Sequence, residues 1–297
     1  MLSKSTGKLQ NLQTLDLRHT AVFELPVKIE KLQSLQHLLV DTYNLKLEFN
    51  FDSIHGLRIQ GRVGCLQDLQ TLRTVEAQNK SLIRELKKLR HLRSLGISKL
   101  TTELGRSLCT STEKMKDVSF LVLFSMNSDE VLDLQSISSC PKFLQVLILK
   151  CRLRKLPYWI VELQNLRRLS LYFSRLIDDP LKCFHGLPNL EILWLNQAYD
   201  GEKLHFKEGG FWKLKELELR KLNGLKVVNI DRRSLPLLEV LMIRPTPLLE
   251  AWSFEIRHLK NLKSFHIFEI PREFVLGMQP NGDPNYWKIM HVKSVRC

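Results

Sequence analysis

Few residues of this 297-residue chain stand in patterns that support covalent chemistry. Its six cysteines are Cys65, Cys109, Cys140, Cys151, Cys183 and Cys297. They form no C-x-x-C pair and no His/Cys cluster at zinc-ligand spacing. A thiol becomes a nucleophile when a base or cation stabilises its thiolate, and no histidine stands near Cys140 or Cys151 in the sequence. Dispersed cysteines of this kind read as reduced, mostly core residues of a cytosolic protein. His55, His185 and His258 lack paired carboxylates or cysteines at ligand spacing. Neither G-x-S-x-G nor H-E-x-x-H occurs. Gly56 and Gly61 have the separation of a phosphate loop, but Arg62 and Val63 follow where Lys and Ser/Thr are required. The expectation is therefore no catalytic residue, no cofactor and no metal site.

What remains is contact chemistry. Trp194 sits between Leu193 and Leu195, and Tyr172, Phe124 and Met242 stand among Lys150, Arg220 and Arg244. Trp, Tyr and Arg dominate protein-binding hot spots. Lysine and arginine total 45 against 31 acidic residues, a formal net charge of +14. That balance favours an acidic protein face, an anionic membrane surface or nucleic acid. Nucleic acid ranks last because no nucleic-acid-binding motif accompanies the charge.

The elements that position these residues come from a repeat. Gln10–Leu17 reads QNLQTLDL, Gln164–Leu171 reads QNLRRLSL and Pro188–Leu195 reads PNLEILWL. The first apolar residue of each L-x-L pair falls at Leu15, Leu38, Leu72, Leu95, Leu121, Leu147, Leu169, Leu193, Leu217, Leu241 and Phe265. Successive spacings are 23, 34, 23, 26, 26, 22, 24, 24, 24 and 24 residues. Leucine-rich repeats have periods of about 20 to 29 residues. L-x-L alternates with period two, so each copy predicts a short strand with both leucines on one face. The return arms carry Leu25-Pro26 and Leu156-Pro157, and proline fits the start of a helical turn.

The predicted fold is an α/β leucine-rich-repeat solenoid, or horseshoe, of about 11 repeats. A parallel sheet lines its concave face, and turns or short helices line its convex face. The array is expected over residues 1–270, with an insertion near 41–65 and a C-terminal cap or tail over 271–297.

In this register the residues between and after the leucines face solvent on the concave side. The expected protein-binding surface there is Val122, Phe124, Ile148, Lys150, Tyr172, Trp194, Arg220, Met242 and Arg244. Packing of neighbouring strands on one another is the competing reading of the same residues, with Glu218 and Arg220 covering Trp194 and Tyr172. The basic run Arg84–Arg93 on a return arm reads as a solvated convex face or as a site for an acidic partner. Arg152, Arg154 and Lys155, with Arg167 and Arg168 one repeat on, form a second basic cluster.

The segments LQNLQTLDLRHTAVFELPVKIEKLQSLQHLLV and LQDLQTLRTVEAQNKSLIRELKKLRHLRSLGI, together with the tail NYWKIMHVKSV, carry a family resemblance. The chain resembles the leucine-rich-repeat domain of plant disease-resistance proteins, the intracellular immune receptors of the coiled-coil nucleotide-binding class. The resemblance implies a non-enzymatic module that senses a pathogen effector or an effector-modified host protein. It also implies restraint of a nucleotide-binding domain until the hypersensitive response. Repeats begin within ten residues of Met1, so that domain is expected to be missing from these residues and a fragment or truncated relative is expected. The alternative is a free-standing repeat scaffold for an acidic host protein. MLSKSTGKLQ has no apolar signal region. The longest uncharged apolar-rich stretch, Val118–Ser128, has 11 residues, short of the roughly 18 that span a bilayer. The expected location is cytoplasmic, or peripheral on the inner face of a membrane, with no transmembrane segment.

Overall fold

The computed structural model describes residues 4–40, 56–112, 115–137, 141–249, 251–253, 258–269 and 291–296. Residues 41–55 of the expected insertion and 271–290 of the expected tail lie outside the described residues, as do His55, Cys140 and Cys297. The chain divides into two compact units, Met1–Trp159 and Ile160–Cys297.

The first unit contains strands β1 (Thr14–Asp16), β2 (Glu24–Leu25), β3 (His37–Leu39), β4 (Arg58–Ile59), β5 (Thr71–Glu76), β6 (Ser94–Leu100), β7 (Phe120–Ser125) and β8 (Val146–Lys150). It also holds helices α1 (Lys80–Leu86) and α2 (Thr102–Thr112). The ladder runs β1-β3-β5-β6-β7-β8, all parallel. Anchors meet in register: Leu15 opposite Leu38, Leu38 opposite Leu72, Leu72 opposite Leu95, Leu95 opposite Leu121 and Leu121 opposite Leu147. The short β2 and β4 pair separately, so the end of the expected insertion joins the return arm of the first repeat.

The return arms form where the sequence supplies a start signal. Asn79 caps α1, its side chain accepting the Leu82 N–H at 3.1 Å. Pro26 precedes the 3-10 turn Val27–Lys31, where its missing N–H costs nothing. Trp159 is buried on such an arm, and its indole N–H donates to the Leu134 carbonyl at 2.8 Å. One irregularity interrupts the ladder. Thr74 takes a left-handed φ of 55°, and register resumes at Val75 opposite Ile97. The neighbouring strand carries Gly96 there, because a Cβ would stand 2.7 Å from the Thr74 nitrogen.

The second unit contains β9 (Arg168–Tyr172), β10 (Ile192–Asn196), β11 (Lys203–Phe206), β12 (Glu216–Arg220), β13 (Val227–Ile230), β14 (Val240–Ile243), β15 (Ala251–Ser253), β16 (Ser264–Ile267) and β17 (Ser294–Arg296), with the single turn of helix α3 (Leu181–Phe184). Its main ladder runs β9-β10-β12-β14-β16-β17, all parallel. Leu169, Leu193, Leu217, Leu241 and Phe265 stand in register, and Val295 joins them opposite Phe265. A second parallel ladder, β11-β13-β15, occupies the return arms, where turns or short helices were expected. Leu204 and Phe206 are buried while His205 is half-exposed, so period-two alternation recurs on that arm.

Both main ladders use one backbone device at the entrance to a strand. At successive strand entrances the carbonyl two residues before the anchor, as at Gln13, Gln36, Gln70, Ser119, Glu191 and Glu239, accepts two N–H groups from the next repeat. Gln70 O takes Arg93 N at 2.8 Å and Ser94 N at 3.0 Å; Glu191 O takes Lys215 N at 2.8 Å and Glu216 N at 3.0 Å. Leu193 and Leu195 are both wholly buried. Replacing Leu193 with Ala removes a side chain from a close-packed ladder, and the expected loss is about 2–5 kcal/mol. Urea unfolding of the second unit measures it, and a loss below about 1 kcal/mol contradicts the anchor's burial.

Candidate functional site

The outward faces of the two ladders carry the expected binding residues. In the first unit Val122, on β7, pairs with Ile148, on β8, and Phe124 pairs with Lys150. Val122 and Phe124 form an apolar cluster with Phe120 and Ile148 packed against it. Arg73 lies over the Phe120 ring at 4.8 Å. The expectation that these positions face solvent needs correction. Phe124 is 4% exposed and Lys150 only 1%. Val122 is also buried, and only Ile148 of the four expected residues is half-exposed. In-register side chains on adjacent strands cover one another at a separation of about 4.8 Å.

In the second unit Tyr172, Asn196 and Arg220 form one row across β9, β10 and β12. Ser170, Trp194, Glu218, Met242 and His266 form another, extending to β14 and β16. Tyr172 and Arg220 are buried, again against the solvent-facing expectation, while Trp194, Met242 and Arg244 are half-exposed. Glu218 stands beside Trp194 in register, and two further residues engage the ring. Arg168 stacks on its ring at 4.0 Å, and its indole N–H donates to Glu216 Oε1 at 2.9 Å. The Arg168 Nε–H also donates to Ser170 Oγ at 3.3 Å. Arg168, Glu216 and Phe120 each stand one residue before an anchor. Period-two alternation carried one step towards the N-terminus puts them on the outward face, which is the sequence signal for their place there.

Glu218 pairs with Arg244 at 3.1 Å, and Arg244 lies 5.7 Å from the Phe268 ring centre. His266 meets Phe268 edge-on at 6.2 Å. Burial pushes the Glu218 carboxyl above its ordinary value of 4.5, against the pull of Arg244 and then Arg220. The His266 imidazole is held below its ordinary value, first by burial and then by Arg296 and Arg244.

The rim of this unit is neutralised from within. Arg167, Glu191, Lys215, Glu239 and Lys263 alternate in sign at the position two before successive anchors. Arg167 meets Glu191 at 2.7 Å, Lys215 meets the same carboxylate at 3.1 Å, and Lys263 meets Glu239 at 2.7 Å. The Arg167 hydrogen bond holds the Glu191 carboxyl below its ordinary range. Arg167 and Arg168, read from sequence as a basic cluster, are thus taken up by Glu191 and Trp194. The thiols of Cys109 and Cys151 are buried, and burial holds the Cys151 thiol in its neutral form. Among the described residues no His, Cys, Asp and Glu group could hold a metal ion.

The family model for the leucine-rich repeat region matches residues 1–273. The chain belongs to that leucine-rich repeat family. It is 30% identical to disease resistance protein RPM1 of Arabidopsis thaliana over 262 residues, covering 88% of this chain and 28% of that protein. It is 26% identical to disease resistance protein Pik-2 of Oryza sativa subsp. japonica over 309 residues, covering 88% of this chain and 30% of that protein. The resemblance to the repeat domains of plant disease-resistance proteins is therefore borne out. The leucine-rich repeats here span less than a third of those relatives.

Among solved structures, the ectodomain of the plant membrane receptor kinase GASSHO1/SCHENGEN3 of Arabidopsis thaliana aligns with a TM-score of 0.57 at 18% identity, over 99% of this chain and 36% of that one. An internalin of Listeria monocytogenes aligns with a TM-score of 0.55 at 16% identity, over 97% of this chain and 81% of that one. At such identities these two report the leucine-rich-repeat fold.

The raised Glu218 value has a sign. Its folded-state pKa exceeds its unfolded one, so its contribution to stability is fully present below 4.5 and is lost as pH rises through the folded value. The stability of the natural chain relative to a Glu218→Gln variant is expected to fall between pH 4 and pH 7. Urea midpoints at the two pH values test this, and a rising difference contradicts it.

Proposed function

We propose that this chain is the non-enzymatic recognition module of a plant intracellular immune receptor. In this reading it senses a pathogen effector, or a host protein altered by one, and restrains a nucleotide-binding domain until defence is triggered. Loss of that restraint leads to the hypersensitive response. The family and the names of the relatives support the immune role. No helix among the described residues is long and apolar enough to cross a membrane, and the proposed place of action is the cytoplasm.

The observation that carries the contact surface is Trp194. Its ring is half-exposed, and Arg168 and Glu216 fix its orientation on a rigid parallel strand. An aromatic side chain already held in place loses little conformational freedom when a partner covers it. Met242 and Arg244 stand half-exposed on the same outward face. The buried Tyr172 and Arg220 stand in the neighbouring row of that same face, and Val122, Phe124, Ile148 and Lys150 serve the corresponding face of the first unit.

The test is co-expression of the chain in leaves with the nucleotide-binding portion of a related receptor, followed by co-precipitation and scoring of cell death. Trp194→Ala is expected to weaken the partner contact by about 2 kcal/mol or more, the cost of a hot-spot truncation. Arg168→Ala, which frees the ring, should weaken it less. If both variants fold and leave association and cell death unchanged, the outward face of the second unit is not the recognition surface.

A further inference from the structure

The basic run of the first unit has a destination that the solvated-arm reading does not supply. Leu82, Ile83, Leu86 and Leu89 are buried, which turns the intervening cations away from the core. Arg84, Lys87, Lys88 and Arg90 from this arm, with Lys116 and Asp117 from the next, line one cavity of about 920 Å³. Lys88 is engaged by Glu85 at 2.5 Å, and Lys87 donates to Thr110 Oγ1 at 3.3 Å. Arg84, Arg90 and Lys116 are exposed, and none of the three has an ion pair among the described residues. The contrast with the second unit is direct, since Arg167, Lys215 and Lys263 there each meet a carboxylate of their own chain.

A second cavity of about 340 Å³ shares Asp117 with the first and is lined by Gln36, Asp68, Gln70, His91 and Arg93, so its two carboxylates stand beside the cations of His91's arm and leave the net positive charge to the first cavity. Its character is different. Gln36 and Gln70 present amides, each with two donors and one accepting oxygen. Such groups can pair with both the N–H and the C=O of a peptide backbone, whereas a bare anion can use only their donors. The cationic cavity, by contrast, matches carboxylates, because the two guanidinium groups offer paired donors in a fixed fork.

We infer that these two cavities together form a docking site for an extended acidic protein segment, with its carboxylates among Arg84, Arg90 and Lys116 and its backbone along Gln36 and Gln70. The site lies on the return arms and strand entrances, apart from the outward face that carries Phe124 and Lys150. It is independent of the recognition surface proposed for the second unit.

The test measures binding of the whole chain to a fluorescent peptide of alternating glutamate and aspartate, against its glutamine and asparagine counterpart. The acidic peptide is expected to bind, with affinity falling as salt rises, and the amide counterpart to bind at least about tenfold more weakly. The combined variant Arg84→Glu, Arg90→Glu and Lys116→Glu should lose binding by about tenfold or more. The milder Arg84→Gln, Arg90→Gln and Lys116→Gln variant keeps the test valid if the first fails to fold. A variant with the same change in charge elsewhere, Lys182→Glu, Lys207→Glu and Arg232→Glu, should bind as the natural chain does. Equal losses in the two charge-reversed variants would overturn the site. So would displacement of the peptide by inorganic phosphate at matched charge, or binding of phosphatidylserine vesicles with no binding of the peptide. The Trp194→Ala variant should bind the acidic peptide normally, which separates failure of this site from failure of the other surface.

Discussion

Register is the constraint on which the rest of the structure depends. Each L-x-L pair must enter its strand at the same height as the pair before it, because the leucines share one core and cannot be buried by a single repeat. The carbonyl that accepts two N–H groups at successive strand entrances sets that height in the backbone. Once Leu169, Leu193, Leu217 and Leu241 are aligned, every other position of the repeat is aligned with them. Trp194 meets Ser170 and Glu218, Asn196 meets Tyr172 and Arg220, and Glu191 comes within reach of both Arg167 and Lys215. A property of leucines in the core thus decides which polar and aromatic residues become neighbours on the surface.

The direction of side chains was legible in the sequence, and their cover was not. Alternation with period two correctly places Leu193 and Leu195 inward and Trp194 outward, because that period is a geometric property of a strand. Whether an outward residue reaches solvent depends on the size of what stands beside it on both neighbouring strands. Lys150 lies beside Phe124 and is 1% exposed, although a lysine in isolation reads as a solvated residue. The Arg168 stack on Trp194 crosses strands diagonally, so no spacing along the chain announces it. Thr74 and Gly96 make the same point for the backbone. A threonine gives no sign of a left-handed conformation, and the glycine is explained only by the approach of another strand. Val295 escaped notice because its tail has a single apolar pair and a 30-residue interval from Phe265.

The return arms show how weakly sequence separates alternatives that bury the same residues. Leu204 and Phe206 point into the second unit from a strand, yet a single helical turn would bury two apolar residues as well. The choice is made by neighbours, because β13 presents a matching backbone edge to β11 and β15 one to β13. In the first unit Asn79 tips the balance the other way by satisfying the first turn of α1. Local capping wins where it is available, and lateral pairing wins where successive arms have equal length, as the constant 24-residue spacing of the second unit ensures.

Charge illustrates the difference between a total and an arrangement. A net charge of +14 attracts anions of every class and selects none. The even spacing that aligns the leucines of the second unit also aligns Arg167, Glu191 and Lys215, so those cations are spent on carboxylates of the same chain. Exposed pairs of this kind contribute little to stability, but they remove charge from the surface that a partner meets. At the equivalent rim of the first unit Gln36, Gln70 and Arg93 stand instead. With no carboxylate at those three positions, the excess of cations is left on the arm behind them, at Arg84, Arg90 and Lys116. The arrangement of the +14 charge therefore follows the register: where the alternating rim stops, exposed cations remain for the acidic partner proposed above.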